Sequence, residues 1–298
     1  MGQTKKLRGN LKSPYAYYLM LPALLVYALL FVLPALSGLL LSFFNVKSFK
    51  LSTITFAGLE NYVTVLRNPY FSIAIKNTLL FAVVTTLGKV IFGMALALLV
   101  NQRFHGVNYM RTVFFLPAVL NNVAVGLVFR SMMHPSGLIN QTLSAMGLDM
   151  LMHNWLTDAK IAIFSCAFVE IWKWTGYTMV IFLAGLQSID KTYYEAAQLD
   201  GATYWQQLRS VTIPLIMPAL NNAVVISVVG GLKVFDIVQS LTNGGPGNAT
   251  SVFGTLIYSS FSSGSYGRGC AASMILTFFV LLIALPTNRF ISRKEVEV

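Results

Sequence analysis

Six stretches of this chain, at about 17–44, 74–100, 110–132, 160–187, 212–235 and 269–290, are apolar over most of their length. About 20 such residues in a helix cross the hydrocarbon of a bilayer. Backbone amides and carbonyls in hydrocarbon find no water, so a run of this kind must satisfy them internally, as a helix. The expected fold class is therefore an all-α membrane protein of six transmembrane helices. Prolines inside the runs (Pro22, Pro34, Pro117, Pro218 and Pro286) are acceptable where neighbouring helices pack against the freed carbonyls. Composition agrees: 56% of residues are hydrophobic and 10% charged, whereas a soluble domain carries about 25% charged residues. The first run is too long for a signal-peptide core and lacks a small-residue cleavage site, so it counts as the first span.

Six crossings place both termini on one side, and the basic residues indicate which. With the N-terminus inside, the inner segments hold Lys5, Lys6, Arg8, Lys12, Arg103, Arg111, Lys191, Arg209, Arg289, Arg293 and Lys294. The outer loops then hold Lys47, Lys50, Arg67, Lys76, Lys160 and Arg268. Positive residues favour the cytoplasmic side, so both termini are expected there. This accounts for much of the net charge of +11 without nucleic acid, since the basic residues form no stripe. The expected organisation is a tail at 1–16, one six-helix transmembrane domain at 17–290 with an inner loop at 188–211, and a tail at 291–298. Cys166 and Cys270 lie inside apolar runs with no CxxC spacing, and read as small buried side chains. Three dispersed histidines give no metal-site spacing and no enzyme-like cluster of titratable groups.

The inner loop is unlike its surroundings. It reads "SIDKTYYEAAQLDGATYWQQLRSVTIP". Thr192 followed by Glu195 has the spacing of a capping box, which predicts a helix from Thr192. Gly201 fits a left-handed helix terminator. Thr203 and Gln206 make a second capping box, and Pro214 falls near the first turn of the fifth span. The expectation is a helix-turn-helix platform along the inner membrane face, with Ala196 and Ala197 leaving a nearly bare surface for another protein.

Glu195, Ala196 and Ala197, then Gly201 after three residues, then Val211, Ile213 and Pro214 after nine more, resemble the EAA signature of permease subunits of bacterial ABC importers. "LTNGGPG" at 241–247 resembles the carbohydrate-uptake branch, with its maltose, lactose, raffinose and glycerol-phosphate permeases. The resemblance implies a type I ABC importer permease fold in the bacterial cytoplasmic membrane. It also implies a second permease subunit, two ATPase subunits, an extracytoplasmic sugar-binding protein and a carbohydrate substrate, with lipid around the helices. The EAA loop would be the coupling element that docks in the ATPase, through Glu195, Ala196, Ala197 and Gly201. No phosphate loop is found in this chain, because Gly88-Lys89 lacks the flanking residues of that motif. ATP and magnesium are therefore expected on the partner ATPase, and no cofactor, metal or catalytic residue on this subunit.

Charges inside spans are costly and mark functional hypotheses. Glu170 and Lys173 are three apart, as are Lys233 and Asp236, so each pair is expected to neutralise itself on one helix face. Lys89 and Arg130 stand without a partner by this reading. Glu170, Lys173, Trp174, Thr178, Ser227, Lys233 and Asp236 form the candidate translocation pathway, with aromatic faces for sugar rings. The resemblance adds Thr175, Gly231 and Val234, where Gly231 and Val234 replace amide side chains. Asn121, Asn122, Asn221 and Asn222 read as helix-start hydrogen bonders, and "PAVLNN" at 117–122 echoes "PALNN" at 218–222. The alternative is a secondary transporter or channel that uses the intramembrane charges; it predicts broken helices in inverted repeats and no docking platform.

Overall fold

A computed structural model describes residues 14–47, 54–102 and 104–293. Most of both expected tails, together with Lys50, Arg103 and Lys294, lies outside the described residues. The first run forms α1 (Pro14–Tyr27), a π-helical turn (Ala28–Val32) and α2 (Leu33–Leu41). Every side chain from Met20 to Leu36 is exposed, so this rod meets lipid or another chain rather than its own bundle. A two-residue ladder follows, with Phe44 opposite Phe56 and Asn45 opposite Thr55, then α3 (Glu60–Leu66).

The central helix is α4 (Pro69–Asn101). Pro69 at its start sacrifices no helical bond, and the Asn68 side chain accepts from the Tyr70 amide at 2.9 Å. Its 33 residues reach about 50 Å at 1.5 Å per residue, well beyond the hydrocarbon. Against it packs α8 (Ala162–Ser188), which carries the most buried residues of the bundle. Between them in sequence come α5 (Val107–Val119), α6 (Asn122–Met132) and the small α7 (Leu138–Ala145). The platform holds α9 (Lys191–Leu199) and α10 (Tyr204–Gln207), followed by a π-helical turn (Leu208–Thr212) and α11 (Ile213–Leu215). The chain closes with α12 (Met217–Leu232), α13 (Asp236–Leu241), α14 (Phe253–Ser262) and α15 (Tyr266–Ser292).

Among the described residues, three helical segments are long and apolar enough to cross a membrane: Met20–Leu41, α4 and α15. Two further candidates are bent pairs, and here the structure departs from the straight spans expected at 110–132 and 212–235. α5 and α6 meet at 96°, and the segments flanking Ile216 meet at 69°. Pro117 removes an amide near the end of α5, and Asn121 restarts the helix by accepting from the Val123 and Ala124 amides at 2.9 and 3.3 Å. The carbonyl of Ala118, freed by the bend, accepts from Lys173 Nζ at 3.2 Å. A buried cation on the last carbonyls of a helix suits both the hydrogen-bond and the dipole requirement. α8 is long enough to span, yet its polar residues keep it out of the set defined by apolarity.

Among the described residues, the core falls into three clusters, around Phe81 and Val169, around Phe182 and Ile216, and around Phe253 and Ala272. Cys166 and Cys270 are buried free thiols, as their apolar setting implied.

Candidate functional site

The platform begins two residues earlier than its sequence implied. Asp190, not Thr192, caps α9: its carboxylate accepts from the Thr192 amide at 2.9 Å and from the Thr192 hydroxyl at 3.0 Å. These bonds hold the Asp190 carboxyl below the usual carboxylate range. The hydroxyl that should have formed the capping box with Glu195 is thereby used, and the Thr192–Glu195 box is corrected to an Asp190 cap. Glu195 stands beyond the first turn of α9, exposed to solvent beside exposed Ala196.

The rest of the platform follows its chemistry. Gly201 has φ +74° and closes α9: its amide donates to Gln198 O at 3.0 Å, and the Ala202 amide donates to Ala197 O at 2.9 Å. This paired closure needs a left-handed residue at the turn, which glycine adopts without a Cβ penalty. The Thr203–Gln206 capping box is present and starts α10, with the Thr203 amide 2.7 Å from Gln206 Oε1. The Tyr194 hydroxyl meets Thr212 Oγ1 at 3.1 Å, which ties α9 to the segment entering the bundle. Leu199 is 89% exposed and Trp205 75% exposed. Apolar side chains standing out of a polar platform mark a contact surface. Their only sequence signal was an apolar type in a polar loop.

Deeper in the bundle, α4, α6, α8 and α12 enclose a cavity of about 510 Å³. Glu170, Trp174, Thr178, Ser227, Lys233 and Asp236 line it, six of the seven pathway residues, together with Lys89 and Asn122. The charge pairing differs from the helical-spacing expectation. Glu170 Oε1 pairs with Lys89 Nζ at 3.5 Å, both residues being nearly buried at 6% and 3% exposure. Lys173 turns away, with its ammonium on Ala118 O and 4.4 Å from the centre of the Trp174 ring. Lys233 and Asp236 form no pair, because the helix is interrupted between them. α12 ends at Leu232, Phe235 has φ −146° and ψ −61°, and α13 starts at Asp236. Asp236 Oδ2 instead accepts from Asn122 Nδ2 at 3.0 Å. Irregular backbone at membrane depth is tolerated where it lines a cavity, and Lys233, Val234 and Phe235 all do so.

Trp174 and Tyr177 stand edge to face with centroids 5.9 Å apart on one wall. The Thr178 hydroxyl is occupied by its own helix, donating to Trp174 O at 3.2 Å. Gly231 does not face the cavity. A Cβ there would stand 2.7 Å from Ala82 Cα and 3.0 Å from Thr85 Oγ1, so α12 passes too close to α4 for any side chain. Asn121 is the helix-start residue expected, but Asn221 lies inside α12 and donates to Asn288 Oδ1 at 2.9 Å. The two proline–asparagine echoes therefore have different local structures.

The family model of the binding-protein-dependent transport system inner membrane component matches residues 89–293. This chain belongs to that family. It is an integral inner-membrane permease component, and the family's task is transport rather than catalysis. Relatives match along nearly the whole length. The trehalose/maltose transport system permease protein MalF of Thermococcus litoralis is 33% identical over 292 residues, covering 96% of this chain and 97% of its own. The lactose transport system permease protein LacF of Rhizobium radiobacter is 31% identical over 296 residues, covering 97% and 98%. Among solved structures, a bacterial ABC transporter involved in the import of the acidic polysaccharide alginate superposes with a TM-score of 0.80. It is 28% identical and covers 94% of this chain and 95% of its own. A bacterial alginate ABC transporter in complex with an alginate pentasaccharide-bound periplasmic protein superposes with a TM-score of 0.80, at 28% identity over 95% of this chain and 96% of its own. The family found is the one that the sequence resembled.

Proposed function

We propose that this chain is one permease half of an ATP-driven carbohydrate importer, with six crossings and both termini in the cytoplasm. The observation that carries the reading is the platform: α9 and α10 joined at left-handed Gly201, presenting Glu195, Ala196, Leu199 and Trp205 with no part in the bundle's own packing. Capping no longer accounts for Glu195, because Asp190 performs it. A separate ATPase would seat on this surface, two ATPases and a second permease completing the assembly, with ATP and magnesium held by the ATPases. A binding protein would deliver substrate to the opposite end. The sugar-permease relatives and the alginate importer support a carbohydrate cargo.

In this mechanism closure of the ATPases pulls on α9. Tyr194–Thr212 passes the displacement into the fifth segment. That segment continues into α12 and the interruption at Lys233–Phe235, which forms a wall of the cavity. The cavity suits an uncharged or weakly charged polyol: aromatic edges beside the Lys89–Glu170 pair, the cation Lys233, and Asp236 held by Asn122, so that the lining carries two positive and two negative side chains. A secondary transporter would also use interrupted helices. It would have no use for an exposed docking platform.

The test is co-purification of the chain with its partner permease and ATPase, comparing wild type with Glu195→Lys and Gly201→Asp. Loss of the ATPase from both variants, with the partner permease retained, is expected. A full ATPase complement and an unchanged transport rate in both would end the coupling reading.

A further inference from the structure

A second large cleft, of about 730 Å³, lies at the platform end of the bundle, where α4 ends, α5 begins, α8 ends and α9 begins. Its polar lining comes from Asn101, Gln102, His105, Arg111, Gln187 and Lys191. Among the described residues, no carboxylate lines it. The nearest acid in sequence, Asp190, is spent on the cap of α9. Arg111 donates through Nη2 to Val100 O at 2.7 Å and through Nη1 to Asn108 Oδ1 at 3.4 Å, while its buried Nε has no hydrogen-bond partner. Two helices start at the cleft without an acidic residue in the first turn. α5 follows Gly106, which offers no side-chain cap, and α9 opens on the cation Lys191. A helix start favours negative charge. α9 already has the Asp190 carboxylate at its start, whereas the start of α5 has no side-chain cap, so its free amides beside the cations Arg111 and Lys191 leave room for an anion at the cleft.

The surroundings of the cleft identify the anion's carrier. α5 runs from the cleft with Tyr109, Val113, Leu116 and Val119 exposed, and Phe104 stands exposed at its rim. In an integral membrane protein such an apolar stripe faces acyl chains, and an exposed tyrosine sits at headgroup depth. A soluble phosphate would use the cations and leave the stripe unexplained. We infer that this cleft seats the phosphate headgroup of an anionic phospholipid, between Arg111 and Lys191, with the acyl chains along α5. Basic pockets between spans bind such headgroups. Seated there, the lipid bridges the end of α4 to the first turn of α9, so bilayer composition bears on the platform. That last consequence rests on the ATPase-docking reading; the lipid site does not.

Native mass spectrometry of the intact purified transporter tests the site, with phosphatidylglycerol and phosphatidylcholine added in equal amounts. Wild type is expected to retain phosphatidylglycerol preferentially. Lys191→Gln should weaken that retention by about fivefold, the effect of one cation near an anionic headgroup. Arg111→Gln should do the same or more. Lys191 is exposed, so its variant reads binding even where Arg111→Gln fails to fold. Lys160→Gln, in a loop remote in sequence from the cleft, should change nothing. Equal retention of the two lipids, or an unchanged Lys191→Gln, overturns the site. Displacement of the lipid by millimolar glycerol phosphate would reassign it to a soluble phosphate. ATPase lost on Glu195→Lys with lipid retention intact leaves the proposal standing, and the reverse pattern separates the two readings equally well.

Discussion

Lys89→Met removes the cationic half of the Lys89–Glu170 pair and leaves a carboxylate buried among α4, α8 and the cavity wall. At the observed 3.5 Å and an effective dielectric of about 20, two unit charges attract by about 5 kcal/mol. Removing one member of a buried pair costs about 3–5 kcal/mol, because the survivor keeps its desolvation penalty. Lys173 sits one turn further along α8 and offers Glu170 a second cation, so the lower end, about 3 kcal/mol, is expected. For a chain of this size that corresponds to a fall of about 6 °C in the thermal midpoint. The assay is thermal unfolding in detergent of Lys89→Met, Glu170→Leu and the double variant. The double variant should recover to within about 2 °C of wild type, since replacing both charges with apolar groups is often neutral. An unchanged midpoint in Lys89→Met, or a double variant that loses the sum of the single losses, would show that the pair is not the coupled unit described.

Three further outcomes are expected. Gly231→Asn should destabilise by about 1–3 kcal/mol through overpacking, because its Cβ meets Ala82 and Thr85; thermal unfolding checks it. Gly201→Ala should fold normally and lose only about 1 kcal/mol, since the space around it is open and the cost is the left-handed backbone alone; the same assay shows it, with Gly201→Asn milder still. The depressed Asp190 carboxyl contributes stability above the ordinary carboxylate range and loses it as pH falls through its folded-state value. Hydrogen exchange at the Thr192 amide should therefore lose protection on acidification, and Asp190→Ala should show that loss at every pH.

The bundle was legible wherever one apolar run made one helix. Runs at 74–100 and 269–290 became Pro69–Asn101 and Tyr266–Ser292. It was illegible where a run broke, because a proline inside an apolar run reads alike whether the helix passes through it, as at Pro22 and Pro286, or turns at it, as near Pro117. The platform was readable at Gly201 and Thr203 since caps are local chemistry. It was misread at Thr192 because Asp190, two residues upstream, competes for the same amides. The cavity residues were found, but their pairing was not. Spacing reveals neighbours on one helix, whereas Glu170 takes its cation from 81 positions away on α4. The interruption after Leu232 likewise dissolved the Lys233–Asp236 pair, with nothing in "GGLKVFD" to distinguish it from continuous helix.

The central claim is that the α9–α10 platform carries an ATPase. Both native cysteines are buried, so Ala196→Cys adds an accessible thiol on α9 to an otherwise native chain. The measurement is thiol cross-linking of that variant, assembled with its partner permease and ATPase, during ATP turnover. The account predicts a permease–ATPase conjugate whose yield changes with nucleotide. It is contradicted if the thiol is labelled by an impermeant reagent applied outside the cell, or if the intact, transporting assembly gives no conjugate.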